Sequence, residues 1–151
     1  MVLEMNRQEK KHKTYMEIAH NISRLSTCDR KNVGAVVVKE DKIVSMGYNG
    51  SVSGSKHCDE VGHLMFEGHC KRTIHAEANS LLHANRVDLK DATIYVTCKP
   101  CIDCFNLIGN SGISKIVYDE DYESDLEDSM RKISNQIDLP LKKIDDLIEK
   151  A

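Results

Sequence analysis

The chain has 151 residues, of which 40% are hydrophobic and 30% charged, and its formal net charge is −3. A chain of this length can bury most of its apolar surface without disulfide bonds, so we expect a single domain over residues 1–151. No apolar run approaches the roughly 20 residues that cross a bilayer. The small negative charge gives no indication of a protein that coats nucleic acid.

Six cysteines and seven histidines are the unusual part of the composition. The segment from Met1 to Lys13 is polar and charged, so we expect no signal peptide. In proteins that are not secreted, cysteines act more often as metal ligands or reduced thiols than as disulfide partners. The composition therefore favours a metal-binding protein over a disulfide-stabilised one.

The first half of the chain predicts a helix, a hairpin and a long loop. Apolar residues at helical spacing indicate a helix from about Glu9 to Leu25. The β-branched run Val33–Val38 and the short apolar stretch Ile43–Tyr48 flank a predicted tight turn at Asp41-Lys42, which indicates an antiparallel hairpin. From Asn49 to Arg72 the periodicity stops, which predicts a long loop that another interaction must hold in place.

The second half of the chain alternates helices with strands. In chain order we predict the helix His75–Ala84, the strand Ala92–Thr97, the helix Cys101–Asn110, the strand Ile113–Tyr118, the helix Leu126–Ile137 and a charged helix Leu141–Glu149. Strands that alternate with helices imply right-handed parallel crossovers. Together with the antiparallel hairpin, this order predicts an α/β fold, a three-layer α/β/α sandwich around a mixed sheet.

Two short motifs contain the residues best suited to metal binding and catalysis. His75-Ala76-Glu77 begins one predicted helix, and Pro100-Cys101-Ile102-Asp103-Cys104 begins the next. Two cysteines on one helical turn can both reach a single metal ion, and a histidine from the neighbouring helix can supply a third ligand. Three protein ligands leave a tetrahedral zinc ion with one open position, as in a catalytic centre. Glu77 would lie near that position, where a carboxylate can shuttle protons.

Each motif taken alone has a simpler explanation. A pair of cysteines at this spacing also occurs in redox sites and zinc fingers, and a glutamate in the first helical turn often only complements the helix dipole. A bound zinc ion can also be purely structural. The two motifs in this order match the signature of zinc-dependent nucleobase deaminases. We therefore interpret His75, Cys101 and Cys104 as ligands of a catalytic zinc ion, and Glu77 as the catalytic acid and base.

Beyond these motifs, the chain from about Tyr15 to Tyr122 resembles the deoxycytidylate (dCMP) deaminases. The similarity includes the segments Val33-Gly34-Ala35-Val36-Val37-Val38, Gly47-Tyr48-Asn49-Gly50, Arg72-Thr73-Ile74-His75-Ala76-Glu77-Ala78-Asn79 and Tyr95-Val96-Thr97. Gly47-Tyr48-Asn49-Gly50 and the insertion at about residues 50–74 distinguish this branch from free-nucleoside cytidine deaminases and tRNA adenosine deaminases. The resemblance implies a cytidine deaminase-like fold with a mixed five-stranded sheet.

The implied reaction is the hydrolytic deamination of dCMP to dUMP and ammonia by a zinc-activated water molecule, which would feed thymidylate synthesis in the cytoplasm. The resemblance also implies a homohexamer that dCTP activates, with Mg²⁺ on the nucleotide, and that dTTP inhibits. We expect no membrane or nucleic-acid partner. Two alternatives remain open: a related deaminase acting on cytidine, guanine or tRNA adenosine, and a non-catalytic zinc-stabilised module linked to competence. An intact Glu77 disfavours the second alternative.

The resemblance also implies roles for residues outside the two motifs. It places Asn49 against the sugar and Tyr122 near the substrate, and it links His83 and Arg86 to effector binding and subunit contact. Arg30 beside the first strand can bind the phosphate bidentately. Each residue also has an ordinary explanation: a turn residue, a loop tyrosine, a helix-dipole partner or a solvated surface charge.

The resemblance implies a second zinc ion in the insertion. Cys28, Cys58, His63 and Cys70 can together form a site with three cysteines and one histidine. His57 and His69 are the alternatives for the histidine position. Free buried cysteines with surface histidines are the alternative to the whole site. We expect the sixth cysteine, Cys98, to be a buried thiol and not a ligand.

Overall fold

A mixed five-stranded sheet with helices on both faces organises the protein. The computed structural model describes residues 5–28, 31–122 and 124–148. Within these residues, no helix is long and apolar enough to cross a membrane. The predicted α/β class and mixed sheet are confirmed.

The elements are α1 (Arg7–Ser23), β1 (Gly34–Lys39), β2 (Lys42–Tyr48), β3 (Gly50–Ser51), α2 (Cys58–Val61), β4 (Met65–Phe66), β5 (His69–Cys70), β6 (Thr73–Ile74), α3 (Ala76–Leu82), α4 (Arg86–Leu89), β7 (Thr93–Cys98), α5 (Ile102–Gly109), β8 (Lys115–Glu120), α6 (Glu127–Gln136), β9 (Leu141–Lys143) and a 3₁₀ turn (Ile144–Asp146).

The strand order of the sheet is β2-β1-β7-β8-β9. β1 pairs antiparallel with both β2 and β7, whereas β7, β8 and β9 are mutually parallel. The hairpin turn lies at Glu40-Asp41, one residue earlier than predicted, because Lys39 pairs with Lys42. Both turn residues adopt positive φ angles, 51° and 63°, as a two-residue hairpin loop that matches strand twist requires.

The predicted C-terminal helix Leu141–Glu149 is wrong. Leu141–Lys143 forms the strand β9, which pairs in parallel with β8, and a 3₁₀ turn follows; Glu149 lies outside the described residues. The backbone carbonyl of Pro140 accepts a hydrogen bond from Ile116 at 2.9 Å, which starts this pairing. The strand thereby pairs with the backbone hydrogen-bonding groups at the edge of β8. The stabilisation from this long-range pairing outweighs the local preference of the segment for a helix.

Two hydrophobic cores lie on opposite faces of the sheet, and they make the three layers. Along β1, Ala35 and Val37 face the core shared with α3 and α5, while Val36 and Val38 face the core shared with α1. The alternation follows from the two-residue period of a strand. Gly34 brings α1 close to the sheet, since a β-carbon there would lie 2.0 Å from the Ala19 carbonyl oxygen.

Helix α3 packs against β2 at a glycine. A β-carbon on Gly47 would lie 2.5 Å from the carbonyl oxygen of Ala76 and 2.5 Å from the backbone nitrogen of Ser80. Nearby, the Ser45 hydroxyl donates a hydrogen bond to the Ser80 carbonyl oxygen at 2.6 Å. These contacts fix the first turns of α3 on the sheet edge.

The long loop predicted between Asn49 and Arg72 contains short regular elements. β3 pairs with β6, with Gly50 opposite Ile74, so the two ends of the insertion meet. Between them lie the single-turn helix α2 and the small hairpin of β4 and β5. Such short elements leave no periodic signal in the sequence, which is why a structureless loop was predicted.

A buried histidine on α1 predicts pH-dependent stability. His12 Nδ1 lies 2.7 Å from the Tyr95 hydroxyl oxygen, and burial, followed by the charge of Lys115, lowers the pKa of His12. Between the lowered folded-state pKa and the unfolded value near 6.5, the unfolded chain binds more protons, so stability falls as the pH drops. We expect the unfolding free energy of the wild type to decrease from pH 7 to pH 5 and the His12→Gln variant to show a flatter slope.

Urea unfolding at a series of pH values, with zinc present throughout, measures this slope. The exposed His83→Gln variant is the control for the loss of a histidine and is expected to keep the wild-type slope. An identical slope in His12→Gln and the wild type would show that His12 does not couple protonation to folding.

Candidate active site and metal-binding clusters

Two helix starts, those of α3 and α5, meet at one cluster of side chains. His75 is the N-cap residue of α3 and Cys101 the N-cap residue of α5, both with extended backbone conformations. Cys104 lies within the first turn of α5 and is buried. In the present structure, therefore, the two sequence motifs form one three-residue group.

The geometry of this group fits a zinc ion. His75 Nδ1 lies 3.2 Å from Cys104 Sγ and 3.6 Å from Cys101 Sγ, and all three ligand atoms lie within 4.8 Å of one another. A tetrahedral zinc ion with the usual bond lengths separates neighbouring nitrogen and sulfur ligands by about 3.5 to 3.8 Å. The three residues can thus hold one zinc ion with a fourth coordination position open.

The local electrostatics favour a thiolate at Cys101. Contact with Cys104 is the largest influence, and contact with His75 adds to it, so that the pKa of Cys101 falls to about 4 although burial opposes the shift. Contact with Cys101 raises the pKa of His75 in turn. The first turn of α5 adds backbone N–H groups that stabilise negative charge. A thiolate is the form of cysteine that binds zinc.

Glu77 lies completely buried in the first turn of α3, two residues after His75. Burial raises the pKa of its carboxyl group above the ordinary value, and its side chain also contacts Cys104. A carboxyl group with a raised pKa, held beside a group of candidate metal ligands, can both accept and release a proton. This placement is what proton transfer next to a metal-activated water molecule requires.

A second cluster gathers the other four candidate ligands. Cys28 Sγ lies 3.5 Å from His63 Nδ1, Cys58 Sγ lies 3.6 Å from Cys70 Sγ, and all four ligand atoms lie within 4.8 Å of one another. These spacings suit a tetrahedral site with three sulfur ligands and one nitrogen ligand. Of the three histidines considered, the structure brings His63 to the cysteines.

The remaining histidines and the sixth cysteine lie outside both clusters. His57 is the N-cap residue of α2, and His69 lines the cavity described next. Cys98 is buried at the end of β7, where burial raises the pKa of its thiol. All six cysteines are free of disulfide bonds.

One cavity of about 1480 Å³ adjoins both clusters. Its lining includes His75, Glu77 and Cys101 beside the first cluster as well as Cys28 and Cys70 of the second cluster. Asn49 and Tyr122, which the resemblance places near the substrate, also line it. Arg30 lies outside the described residues.

His83 and Arg86 are not among the residues that line the cavity. Helix α3 ends at Leu82, His83 is its C-cap residue, and Arg86 begins the separate helix α4. Arg86 therefore lies beyond the last turn of α3. Asn85 is the N-cap residue of α4, a short helix that the sequence analysis did not predict.

The buried side chain of Asn49 forms two hydrogen bonds with the backbone of the segment before β1. Its Oδ1 accepts a hydrogen bond from the backbone N–H of Val33 at 2.9 Å, and its Nδ2 donates to the carbonyl oxygen of Lys31 at 2.6 Å. Lys31 also lines the cavity, and its Nζ lies 5.3 Å from the ring centroid of Tyr122. Sequence reasoning missed Lys31, because neither spacing nor a motif distinguishes it from a surface lysine.

The comparison with protein families agrees with this geometry. The model of the cytidine and deoxycytidylate deaminase zinc-binding region matches residues 9–120. The chain belongs to the cytidine and deoxycytidylate deaminase family. The matched region contains His75, Glu77, Cys101 and Cys104, so the family description and the Cys/His cluster both indicate a zinc-binding deaminase domain.

Individual relatives agree with the resemblance to dCMP deaminases. The chain is 39% identical to the deoxycytidylate deaminase of Mycobacterium phage D29 over 115 residues, which cover 69% of this chain and 90% of that protein. It is 43% identical to ComE operon protein 2 of Bacillus subtilis (strain 168) over 112 residues, or 73% of this chain and 59% of that protein. The chain thus spans less than two thirds of the Bacillus protein.

A solved structure shows the same fold. The dCMP deaminase of the cyanophage S-TIM5, crystallised in complex with dCMP and dUMP, superposes with a TM-score of 0.72 and 27% sequence identity. The alignment covers 93% of this chain and 99% of the cyanophage protein. This similarity confirms the cytidine deaminase-like fold.

Proposed function

We propose that this protein is a zinc-dependent hydrolase that converts dCMP to dUMP and ammonia. The main support is the group of His75, Cys101 and Cys104, whose ligand atoms lie within 4.8 Å of one another beside the buried Glu77. The adjoining cavity, about 1480 Å³, has room for a nucleotide. Two relatives are named as dCMP deaminases, and one of them was crystallised with dCMP and dUMP.

In the proposed mechanism, His75, Cys101 and Cys104 hold the zinc ion. When bound, zinc supplies a Lewis acid that activates water for attack on C4 of cytosine. Glu77 accepts the proton of the attacking water and transfers it to the ring nitrogen N3. Glu77 then carries a second proton to the departing amino group, so that ammonia leaves and the C4 carbonyl forms. Asn49 and Tyr122 line the cavity and would contact the sugar and the base.

Ammonia release from dCMP, deoxycytidine, cytidine and dCTP, compared side by side, tests this proposal. We expect dCMP to be the preferred substrate. Faster release from cytidine, or activity on guanine or tRNA adenosine in place of dCMP, would assign the protein to a related deaminase.

The second candidate is a zinc-stabilised module without catalytic activity. The 43% identical ComE operon protein 2, whose name states no reaction, favours it. The buried Glu77 beside three zinc-ligand positions disfavours it, since a structural zinc needs no proton-transfer group. Bound zinc without ammonia release from any of the tested substrates would support the module.

Replacing Glu77 tests the catalytic step directly. We expect Glu77→Gln to keep its fold and zinc content but to lose turnover of dCMP by about a hundredfold or more, because an amide cannot exchange the required protons. Steady-state ammonia release and metal analysis of the same preparation measure both properties. Glu17→Gln, a change on the exposed face of α1, is the matched control and is expected to retain wild-type activity. A folded Glu77→Gln protein with near wild-type turnover would remove Glu77 from the mechanism.

We also propose that Cys28, Cys58, His63 and Cys70 hold a second, structural zinc ion that pins the insertion at residues 50–74. The four ligand atoms within 4.8 Å of one another support this site. After treatment with chelating resin, we expect about two zinc ions per chain in the wild type and about one in Cys58→Ser. Cys98→Ser, which changes a buried cysteine outside both clusters, is expected to keep two. One zinc ion per wild-type chain, measured by mass spectrometry, would rule out the second site.

Membership of the family supports further proposals about assembly and regulation. We propose a homohexamer in the cytoplasm that supplies dUMP for thymidylate synthesis, with activation by dCTP carrying Mg²⁺ and inhibition by dTTP. Six cysteines without a disulfide bond suit a reducing compartment. His83 and Arg86 lie outside the cavity lining, where effector binding or subunit contact would leave the substrate site open. Repeating the dCMP assay with each nucleotide tests the regulation.

A further inference from the structure

Three lysines, Lys31, Lys71 and Lys99, line the active-site cavity, and they differ in their partners. Lys99 Nζ forms an ion pair with Glu127, which lines the same cavity. Within residues 5–28, 31–122 and 124–148, no carboxylate forms an ion pair with Lys31 or Lys71. An anionic group that enters the cavity gains most from cations whose charge is not already compensated.

Lys31 is held in a defined position. Its backbone carbonyl oxygen accepts the hydrogen bond from buried Asn49 at 2.6 Å. Its ammonium group lies over the Tyr122 ring, 5.3 Å from the centroid, and contacts the thiol of Cys98. None of these contacts neutralises the positive charge. A cation that is positioned before the ligand binds loses less conformational entropy on binding.

Lys71, like Lys31, lies close in the chain to a cysteine of the second cluster. Lys71 directly follows Cys70, and Lys31 follows Cys28 by three residues. The sulfur atoms of Cys28 and Cys70 lie within 4.8 Å of each other, and both residues line the cavity. The two lysines, which form no ion pair with a carboxylate of the described residues, thus come from chain segments that meet at the second cluster.

We propose that Lys31, assisted by Lys71, recognises the 5′-phosphate of the substrate and so determines the preference for a nucleotide over a nucleoside. This inference rests on the proposed dCMP deamination. The 5′-phosphate carries up to two negative charges, and a lysine ammonium binds such a group as a point charge through charge-assisted hydrogen bonds. Asn49 is then a positioning residue, because it fixes the backbone that carries Lys31.

Substitution of Lys31 separates recognition from catalysis. We expect Lys31→Gln to raise the KM for dCMP about tenfold or more, since charge-assisted hydrogen bonds are lost, while kcat stays within about twofold. The KM for deoxycytidine, which has no phosphate, is expected to stay unchanged. Lys31→Arg keeps the charge and is expected to restore most of the affinity. Lys132→Gln removes the same positive charge from an exposed position on α6. It is the control and is expected to behave as the wild type.

Calorimetric binding of dUMP and deoxyuridine provides a readout that needs no turnover. We expect the wild type to bind dUMP more tightly than deoxyuridine and Lys31→Gln to lose most of that difference. Equal affinity of the wild type for both ligands, or unchanged dUMP binding by Lys31→Gln, would overturn the role of Lys31. Tight, Lys31-dependent binding of dUMP without ammonia release from dCMP would overturn the proposed function but not the phosphate site.

Discussion

The meeting of the first turns of α3 and α5 is the constraint on which the candidate site depends. The absence of a side chain at Gly47 allows α3 to approach β2, since a β-carbon would lie 2.5 Å from the backbone of Ala76 and Ser80. The parallel pairing of β7 with β8 places α5 in the connection between them. His75 and Cys101 are then N-cap residues, and the backbone N–H groups of the first turn of α5 stabilise a thiolate. The zinc-ligand geometry is therefore a consequence of sheet and helix packing.

Much of this arrangement could be predicted because its signals are local. The β-branched run of β1 and the ligand spacing of Cys101 and Cys104 each lie within a few residues of sequence. Strand β9 was missed because its stability comes from pairing with β8, more than 20 residues earlier, while its own sequence contains two lysines and no strand periodicity. The two hydrogen bonds of Asn49 were missed for a similar reason: their partners are the backbone atoms of Lys31 and Val33, which no side-chain pattern reveals. The choice of His63 over His57 and His69 likewise required three-dimensional distances.

The second cluster and the substrate cavity share part of their structure. Cys28 and Cys70 contribute sulfur atoms to the cluster and also line the cavity, so the position of the cavity wall depends on the cluster. The insertion has little regular structure of its own, with a single-turn helix and strands of two residues. Elements of this size bury too little surface to be stable alone. A metal ion bound to the four ligands would supply the missing stability and would hold the cavity wall, including Lys71, in place.

The charged residues of the cavity also affect whether a mononucleotide or a polynucleotide can bind there. Besides Glu77, four acidic residues line it, namely Asp103, Asp121, Asp125 and Glu127. Lys99 and Lys143 neutralise part of this charge through their ion pairs with Glu127 and Asp121. Under the proposed role of Lys31, a mononucleotide brings a single phosphate into this cavity. A polynucleotide would bring further phosphates to a cavity lined by several carboxylates, and the net charge of −3 adds no overall attraction for a polyanion. A few lysines in an acidic surrounding therefore agree with the proposed small anionic substrate.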